Sequence, residues 1–319
     1  MTSRPKTVLS PALAARLLAL ASADSDTVGH ELKEIISEIA ALPPSSIARA
    51  SREIAINARH WYGGDPIDNK NLKSNSDYAW LFLFHPNGYL REAALNRLDA
   101  APQSPFFLSA LAWRLNDWVV PVRRAAKRCI ERVSSQIPPA VAADAALYLL
   151  ERRIASGYWR NEATILDISL ERADVLAALA DRLQSRPDGP MAACLRHMLR
   201  YHRGIDNHLP QLAAGAIQPS VRAVAYRCLI TGKAHWRVGW GEQNLEFREI
   251  ARAHSPADYI AESVRDRSAL VRRTVADCMI AVRQQLPIDE SLIAILAKDR
   301  NPAVRSRADF MLRHPLQQA

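Results

Sequence analysis

An all-α fold, a right-handed α-solenoid of stacked helix pairs, is what the sequence predicts, and three observations predict it. The stretch Asp117 to Ile130, DWVVPVRRAAKRCI, recurs as DRSALVRRTVADCMI from Asp266 and DRNPAVRSRADFML from Asp299, each with an Asp six residues before an Arg that follows a Val. Two looser copies, GAIQPSVRAVAYRCLI and HPNGYLREAALNRL, keep the Arg and lose the Asp. Separations of 32 residues from Arg91 to Arg123, 33 from Arg272 to Arg305, and 99, three times 33, from Arg123 to Arg222 set a period in the low thirties, the mark of a helical-repeat array. Within each copy the Asp caps or turns the chain, and Pro121 and Pro302 supply a φ suited to a first helical turn. The apolar positions that follow recur at three- and four-residue steps.

Taken in order, the first element is an amphipathic helix capped by Ser10 with Pro11 at its first position and Leu13, Leu17 and Leu20 on one face. Arg16 interrupts the apolar run, which favours this helix over a secretory leader. Asp26 to Leu42 carries Val28, Leu32, Ile35, Ile36 and Ile39 as one stripe and ends at Pro43-Pro44. A third helix with Ile47, Ile54 and Ala58 runs into residues 60–76, a polar stretch rich in turn formers that reads as a long loop. Residues 1–76 are therefore taken as N-terminal helices and loop at the start of the array, and 77–319 as the array itself.

From Asp77 the helices come in pairs, DYAWLFLF with YLREAALNRL and PFFLSALAWRL with VPVRRAAKRCIERV. Pro138 to Ala155 and Asp174 to Leu183 read as further helices, while SGYWRNEATILD between them lacks the motif. Aligning Cys194 with the other cysteines places degenerate copies near 156 and 188. The 50 residues between Arg222 and Arg272 exceed the period by about seventeen, and the excess falls in residues 231–247, an insertion with three glycines and two tryptophans that reads as a loop or short hairpin.

Composition limits the function classes. A chain of 319 residues, 49% hydrophobic and 24% charged, has ample material for a core. Its 42 Lys and Arg against 33 Asp and Glu leave +9, which suits an acidic partner such as nucleic acid, an anionic surface or an acidic protein. Cys129, Cys228 and Cys278 each follow a motif Arg by six residues, and Cys194 begins a similar run, so the four form one layer. Equivalent helices stack roughly 8–10 Å apart, beyond the Cα limit of about 7 Å for a disulfide. These are expected to be free, buried thiols in a reducing compartment, and the expected location is cytoplasmic. No apolar run reaches transmembrane length, and no membrane partner is expected.

These residues resemble the HEAT-repeat family of α-solenoids. The resemblance is carried by Asp117, Val122 and Arg123, by Asp266, Val271 and Arg272, and by Asp299, Val304 and Arg305, and it covers roughly residues 77 to 314. It implies that Asp117, Arg123, Arg222, Asp266, Arg272, Asp299 and Arg305 form a structural ladder in which each guanidinium bonds carboxylates or turn carbonyls. A planar fork can satisfy two acceptors at once, so the physics agrees. It also implies a scaffold, the commonest role in the family.

Function is then sought beside the ladder. Arg124, Lys127 and Arg128 share one helix face, Arg196, Arg200 and Arg203 recur at four and three as another stripe, and Arg273 and Arg307 stand on later helices; together they are the nucleic-acid-binding candidates. In the insertion, His235, Trp236, Arg237 and Trp240 are the partner-binding candidates, because aromatic and Arg side chains dominate binding energy. The alternative for the tryptophans is that they fold back to fill the gap made by the insertion.

No Walker loop, HExxH, GxSxG or GxGxxG is present, so no catalytic residue, cofactor or metal is assigned. His197, His202 and His208 make only a weak metal pattern, and Asp65 and Asp68 read as turn formers. The function expected is a non-enzymatic scaffold that uses the solenoid surface and the insertion to bind a protein partner, within a nucleic-acid-associated complex. The alternative is a basic concave groove that binds DNA or RNA directly. Its enzymatic form would resemble HEAT-like DNA glycosylases of the alkylation-repair type in fold and composition only, with Trp159, Arg160 and Asp167, or Trp113, Trp118 and Asp117, supplying the residue types.

Overall fold

The computed structural model describes residues 7–20, 25–58, 70–156, 168–237 and 245–315, and these are mostly helical, with one two-stranded hairpin among them. The chain divides into two compact units, Met1–Val175 and Leu176–Ala319.

The first unit opens with α1 (Pro11–Ala19), where the Ser10 hydroxyl accepts from the Leu13 N–H at 3.0 Å and Leu13 and Leu17 are buried. Next come α2 (Ser25–Ala40), with Leu32, Ile35 and Ile39 in the core, and α3 (Ile47–Ala58). Arg16 on α1 pairs with Glu31, Glu34 and Glu38 of α2. The long loop expected over 60–76 needs one correction, because Lys70–Ser74 forms a short helix, α4, that buries Leu72.

Then follow α5 (Tyr78–Phe82), α6 (Gly88–Arg97), α7 (Pro105–Arg114), α8 (Val120–Val133) and α9 (Pro139–Ser156). Asn87 caps α6 and Ser104 caps α7, each through a side-chain oxygen on a backbone N–H of the first turn. Phe82 and Phe106 are fully buried, α6 packs on α8, and α7 packs on α9.

The division between the units falls in α10 (Ala173–Ser185). After it come α11 (Met191–Tyr201), the 3-10 turn Arg203–His208, α12 (Leu209–Gly215) and α13 (Pro219–Thr231). The hairpin β1 (Lys233–Arg237) and β2 (Leu245–Glu249) intervenes before α14 (Pro256–Ser263), α15 (Ala269–Val282), α16 (Glu290–Ala297) and α17 (Pro302–Arg313). Helix α13 packs on α15 and α15 on α17, with α12, α14 and α16 against their neighbours in this row. Buried Cys228 and Cys278 lie on α13 and α15, as Cys129 and Cys194 do on α8 and α11, and none of the four is in a disulfide.

A single arrangement recurs in both units. Arg91 on α6 donates through Nε and Nη2 to the two carboxylate oxygens of Asp117, each at 2.8 Å. Arg222 on α13 does the same to Asp266 at 2.8 and 2.9 Å, and Arg272 on α15 to Asp299 at 2.5 and 3.0 Å. Each Arg also donates Nη1 to the backbone carbonyl six residues before it: Arg91 to His85, Arg123 to Asp117, Arg222 to Ala216, Arg272 to Asp266 and Arg305 to Asp299. Asp117, Asp266 and Asp299 each accept from the N–H two residues on, at Val119, Ser268 and Asn301, which fixes the turn entering α8, α15 and α17. Arg222 is only 2% exposed, and a desolvated guanidinium is tolerated because its donors are met.

Burial pushes the Asp266 carboxyl up, but the Arg222 guanidinium and the Ser268 N–H outweigh it, so the carboxyl sits below the usual range; Arg272 holds Asp299 low in the same way. Groups held low contribute stability that is complete above the ordinary carboxylate value of about 4 and is lost as pH falls through the lower folded value. Replacing Arg222 by Ala leaves the Asp266 carboxylate without its guanidinium and is expected to cost about 3–5 kcal/mol, read as a fall in Tm at neutral pH. The acid-side decline of Tm below about pH 4 should be shallower in this variant, since Asp266 loses the cation that holds its carboxyl low.

Candidate functional site

The hairpin is placed by three devices. Gly232 ends α13 in the left-handed conformation, φ 68°, with its N–H on the Cys228 carbonyl at 2.9 Å, and a side chain there would be strained. Its own carbonyl accepts from Ile250 N–H at 2.9 Å, closing the base of the ribbon. Arg248 on β2 then clamps the ribbon down, donating Nε to the Leu199 carbonyl of α11 at 2.6 Å and both Nη atoms to the Asp206 carboxylate at 2.5 and 2.6 Å. The strands pair antiparallel with Ala234 opposite Arg248, His235 opposite Phe247 and Trp236 opposite Glu246. Ala234 is buried, whereas His235 and Phe247 are exposed.

Against this ribbon the helices present cations. Two adjoining cavities of about 270 and 660 Å³ are both lined by Arg196 of α11, Arg227 of α13 and His235. The smaller adds Lys233 and Arg273 of α15, and the larger adds Trp236 and Asp277. Asp277 is the one carboxylate on either lining among the described residues, and Arg307 holds it at 2.5 Å. Arg200 lies 5.1 Å from the Tyr201 ring and 5.8 Å from the Trp236 ring, and Lys233 Nζ lies 4.3 Å from the Phe247 ring. Burial and the nearby charges of Lys233 and Arg227 push His235 below its ordinary value, so it is neutral at pH 7. Burial likewise raises the thiols of Cys228, to about 12, and Cys278, to about 11, which leaves them protonated and poor nucleophiles.

The structure thus brings residues from two separate sequence sets together: His235 and Trp236 of the insertion meet Arg196, Arg200 and Arg273 of the helices. Trp236 is half-buried, its indole N–H on Glu246 at 3.0 Å, and Ala234 two positions before it is buried. Arg237 occupies the end of β1, and Trp240 lies outside the described residues. Arg203 departs from its expected stripe, because α11 ends at Tyr201, His202 is extended at φ −130° and ψ 101°, and Arg203 starts the 3-10 turn. Arg307 is held by Asp277 and by the Ala303 carbonyl. In the first unit, Arg124, Lys127 and Arg128 are exposed on α8, with Lys127 3.9 Å from Glu131 and Arg128 on Asn96 at 3.2 Å.

Arg227, Lys233, Tyr201, Phe247 and the clamp Arg248 were missed by the sequence reading. A signal for the first existed: Arg128, Arg227 and Asp277 each precede a layer cysteine, so the position faces alike in successive copies. Arg248 stands one residue beyond the insertion as delimited by the period.

The first unit carries a separate cavity of about 640 Å³ lined by Trp113, Trp118, Asp117, Arg91, Arg114 and Arg152, among others. Arg152 lies over the Trp113 ring at 4.7 Å, and Trp118 is 82% exposed. Asp117 is buried, and its two oxygens are taken by Arg91, Arg114 and the Val119 N–H. Burial lowers Arg114 to about 10, which leaves it charged at neutral pH. Trp159, Arg160, Asp167, Asp65 and Asp68 lie outside the described residues, among which no cluster of His, Cys, Asp and Glu could hold a metal ion. No described helix is long and apolar enough to cross a membrane.

The chain matches no known protein-family model, and its comparison with curated proteins finds no match.

Removing the clamp tests whether the ribbon is held as a platform. Arg248→Ala is expected to speed amide hydrogen exchange at residues 233–236 and 246–249 by about tenfold or more while leaving α15 and α17 protected, as for a local opening. Loss of protection across the whole unit would instead make the clamp a determinant of the fold.

Proposed function

We propose that the protein is a non-enzymatic, HEAT-like α-solenoid and that its C-terminal unit binds nucleic acid in the basic groove between the hairpin and helices α11, α13 and α15. The repeat reading is supported by the Arg that reaches the carbonyl six residues before it in five copies, and by the Asp that closes the following turn in three of them. The single observation that carries the binding reading is the convergence of Arg196, Arg227, Arg273 and Lys233 on two adjoining cavities with, among the described residues, one carboxylate, itself already paired. Cations gathered from three helices and a strand, with no further acid among the described lining residues, repel one another and attract an anion. A phosphate backbone supplies such anions at regular spacing, and its condensed counterions are released on binding. We also place the protein in the cytoplasm, in keeping with four buried cysteines of which none is in a disulfide.

Against an enzymatic role for the first-unit cavity stands the engagement of Asp117, whose oxygens are saturated by two guanidinium groups and a backbone N–H. A carboxylate so held orients a turn, with both of its oxygens already engaged. The same cavity favours a second reading, a protein partner docked on the first unit. Trp118, exposed beside cationic side chains, has the chemistry of an interface anchor. A tagged-protein pull-down is expected to retain a nuclease-resistant partner that the Trp118→Ala variant loses.

The nucleic-acid reading is tested by anisotropy of a labelled oligonucleotide across a salt series. Binding with a Kd of about 10⁻⁴–10⁻⁶ M at physiological salt is expected, weakening steeply with ionic strength. Arg196→Ala combined with Arg273→Ala should weaken binding and lower the slope of log K against log salt by about one for each cation removed. Absence of binding at low salt overturns the proposal.

A further inference from the structure

We infer that the groove of the C-terminal unit takes single-stranded nucleic acid, with bases turned out onto the aromatic faces of the hairpin rim; this deepens the function proposed above and rests on it. Cations alone do not choose between a strand and a duplex, since both offer phosphates. The aromatic side chains do.

Tyr201, at the last position of α11, is 49% exposed, and Phe247, on β2, is 51% exposed. Each sits beside a cation of the same rim: Tyr201 with Arg200 at 5.1 Å and Phe247 with Lys233 at 4.3 Å. Trp236, oriented by its bond to Glu246, lies 5.8 Å from the same Arg200, and His235 pairs with Phe247 at 5.7 Å between centroids. Rings and cations therefore adjoin one another along the rim. Half-exposed aromatic rings are hydrophobic surface left in water, and a ring next to a phosphate-binding cation is where an unstacked base can cover it. In a duplex the bases are already stacked on one another and expose only their edges, so these rings would gain nothing. In a single strand every base has a free π-face, and stacking on it is tolerant of sequence. Neutral His235 fits this use, since a ring without charge next to Lys233 and Arg227 adds stacking area without adding to the repulsion among cations.

The test compares three probes of equal length on the full chain by fluorescence anisotropy: a single strand of mixed sequence, the duplex of that sequence, and a strand in which abasic sites replace the nucleosides while the phosphates remain. The single strand is expected to bind about tenfold or more tighter than the other two. Phe247→Ala and Tyr201→Ala should each weaken the intact strand about fivefold or more, with the salt slope unchanged and the abasic strand unaffected. Both side chains are half-exposed, so Tm is expected to be unchanged and serves as the control for folding. Equal or tighter binding of the duplex, or an abasic strand bound as well as the intact one, overturns the inference and leaves the proposed nucleic-acid binding standing. Failure of every probe at low salt overturns both.

Discussion

The bidentate contact between an arginine on one helix and the aspartate that turns the chain into a later helix is the constraint on which the rest depends. Each guanidinium is bonded three ways, to both carboxylate oxygens and to the carbonyl six residues back, and each aspartate also accepts from the N–H two residues on. A buried ion pair of this kind is not in itself a large source of stability, because desolvation offsets most of the attraction. Its effect is on geometry. It couples the start of one helix to the turn before the next at a fixed distance, so the helices that carry Val221, Val271 and Val304 into the core also hold a fixed rotation about their axes.

That rotation decides what faces outward. On α13 and α15 the buried sets include Val221, Ala225 and Leu229, and Val271, Val275 and Met279, which leaves Arg227 and Arg273 as exposed neighbours of the ladder. The insertion then adds something that the helix rows lack, a ribbon whose base is closed on Gly232 and whose second strand is tied to α11 through Arg248. The groove is the space between a regular surface and an irregular one, which explains why it collects side chains from residues up to 85 positions apart, from Arg196 to Ala281.

Helix starts were the most legible feature of the chain. Ser10 and the prolines at 11, 121 and 302 act through the backbone of their own first turn, so their meaning is local and survives any tertiary context. The Arg and Asp of the recurring stretch were equally plain, although Arg91, whose own copy has no Asp, could be given its carboxylate at Asp117 only by the fold. The stripe drawn through Arg203 failed because helical spacing holds only while the helix does, and α11 stops two residues earlier. Residues 70–74 were read as loop because five polar-rich residues carry too few apolar positions to show a period.

By itself the sequence determined that the chain is built from helices, where many of them begin, which arginines and aspartates recur, and that residues 231–247 break the pattern, since each of these depends on neighbours within a turn or two or on simple repetition. Only the tertiary structure decided that the break is a clamped hairpin and that Arg196, Arg227, Lys233 and Arg273 share a groove with His235 and Trp236. Such convergence depends on where helix axes and a ribbon cross, and the contacts that set those crossings, Arg222 with Asp266 and Arg248 with Asp206, join residues more than forty positions apart.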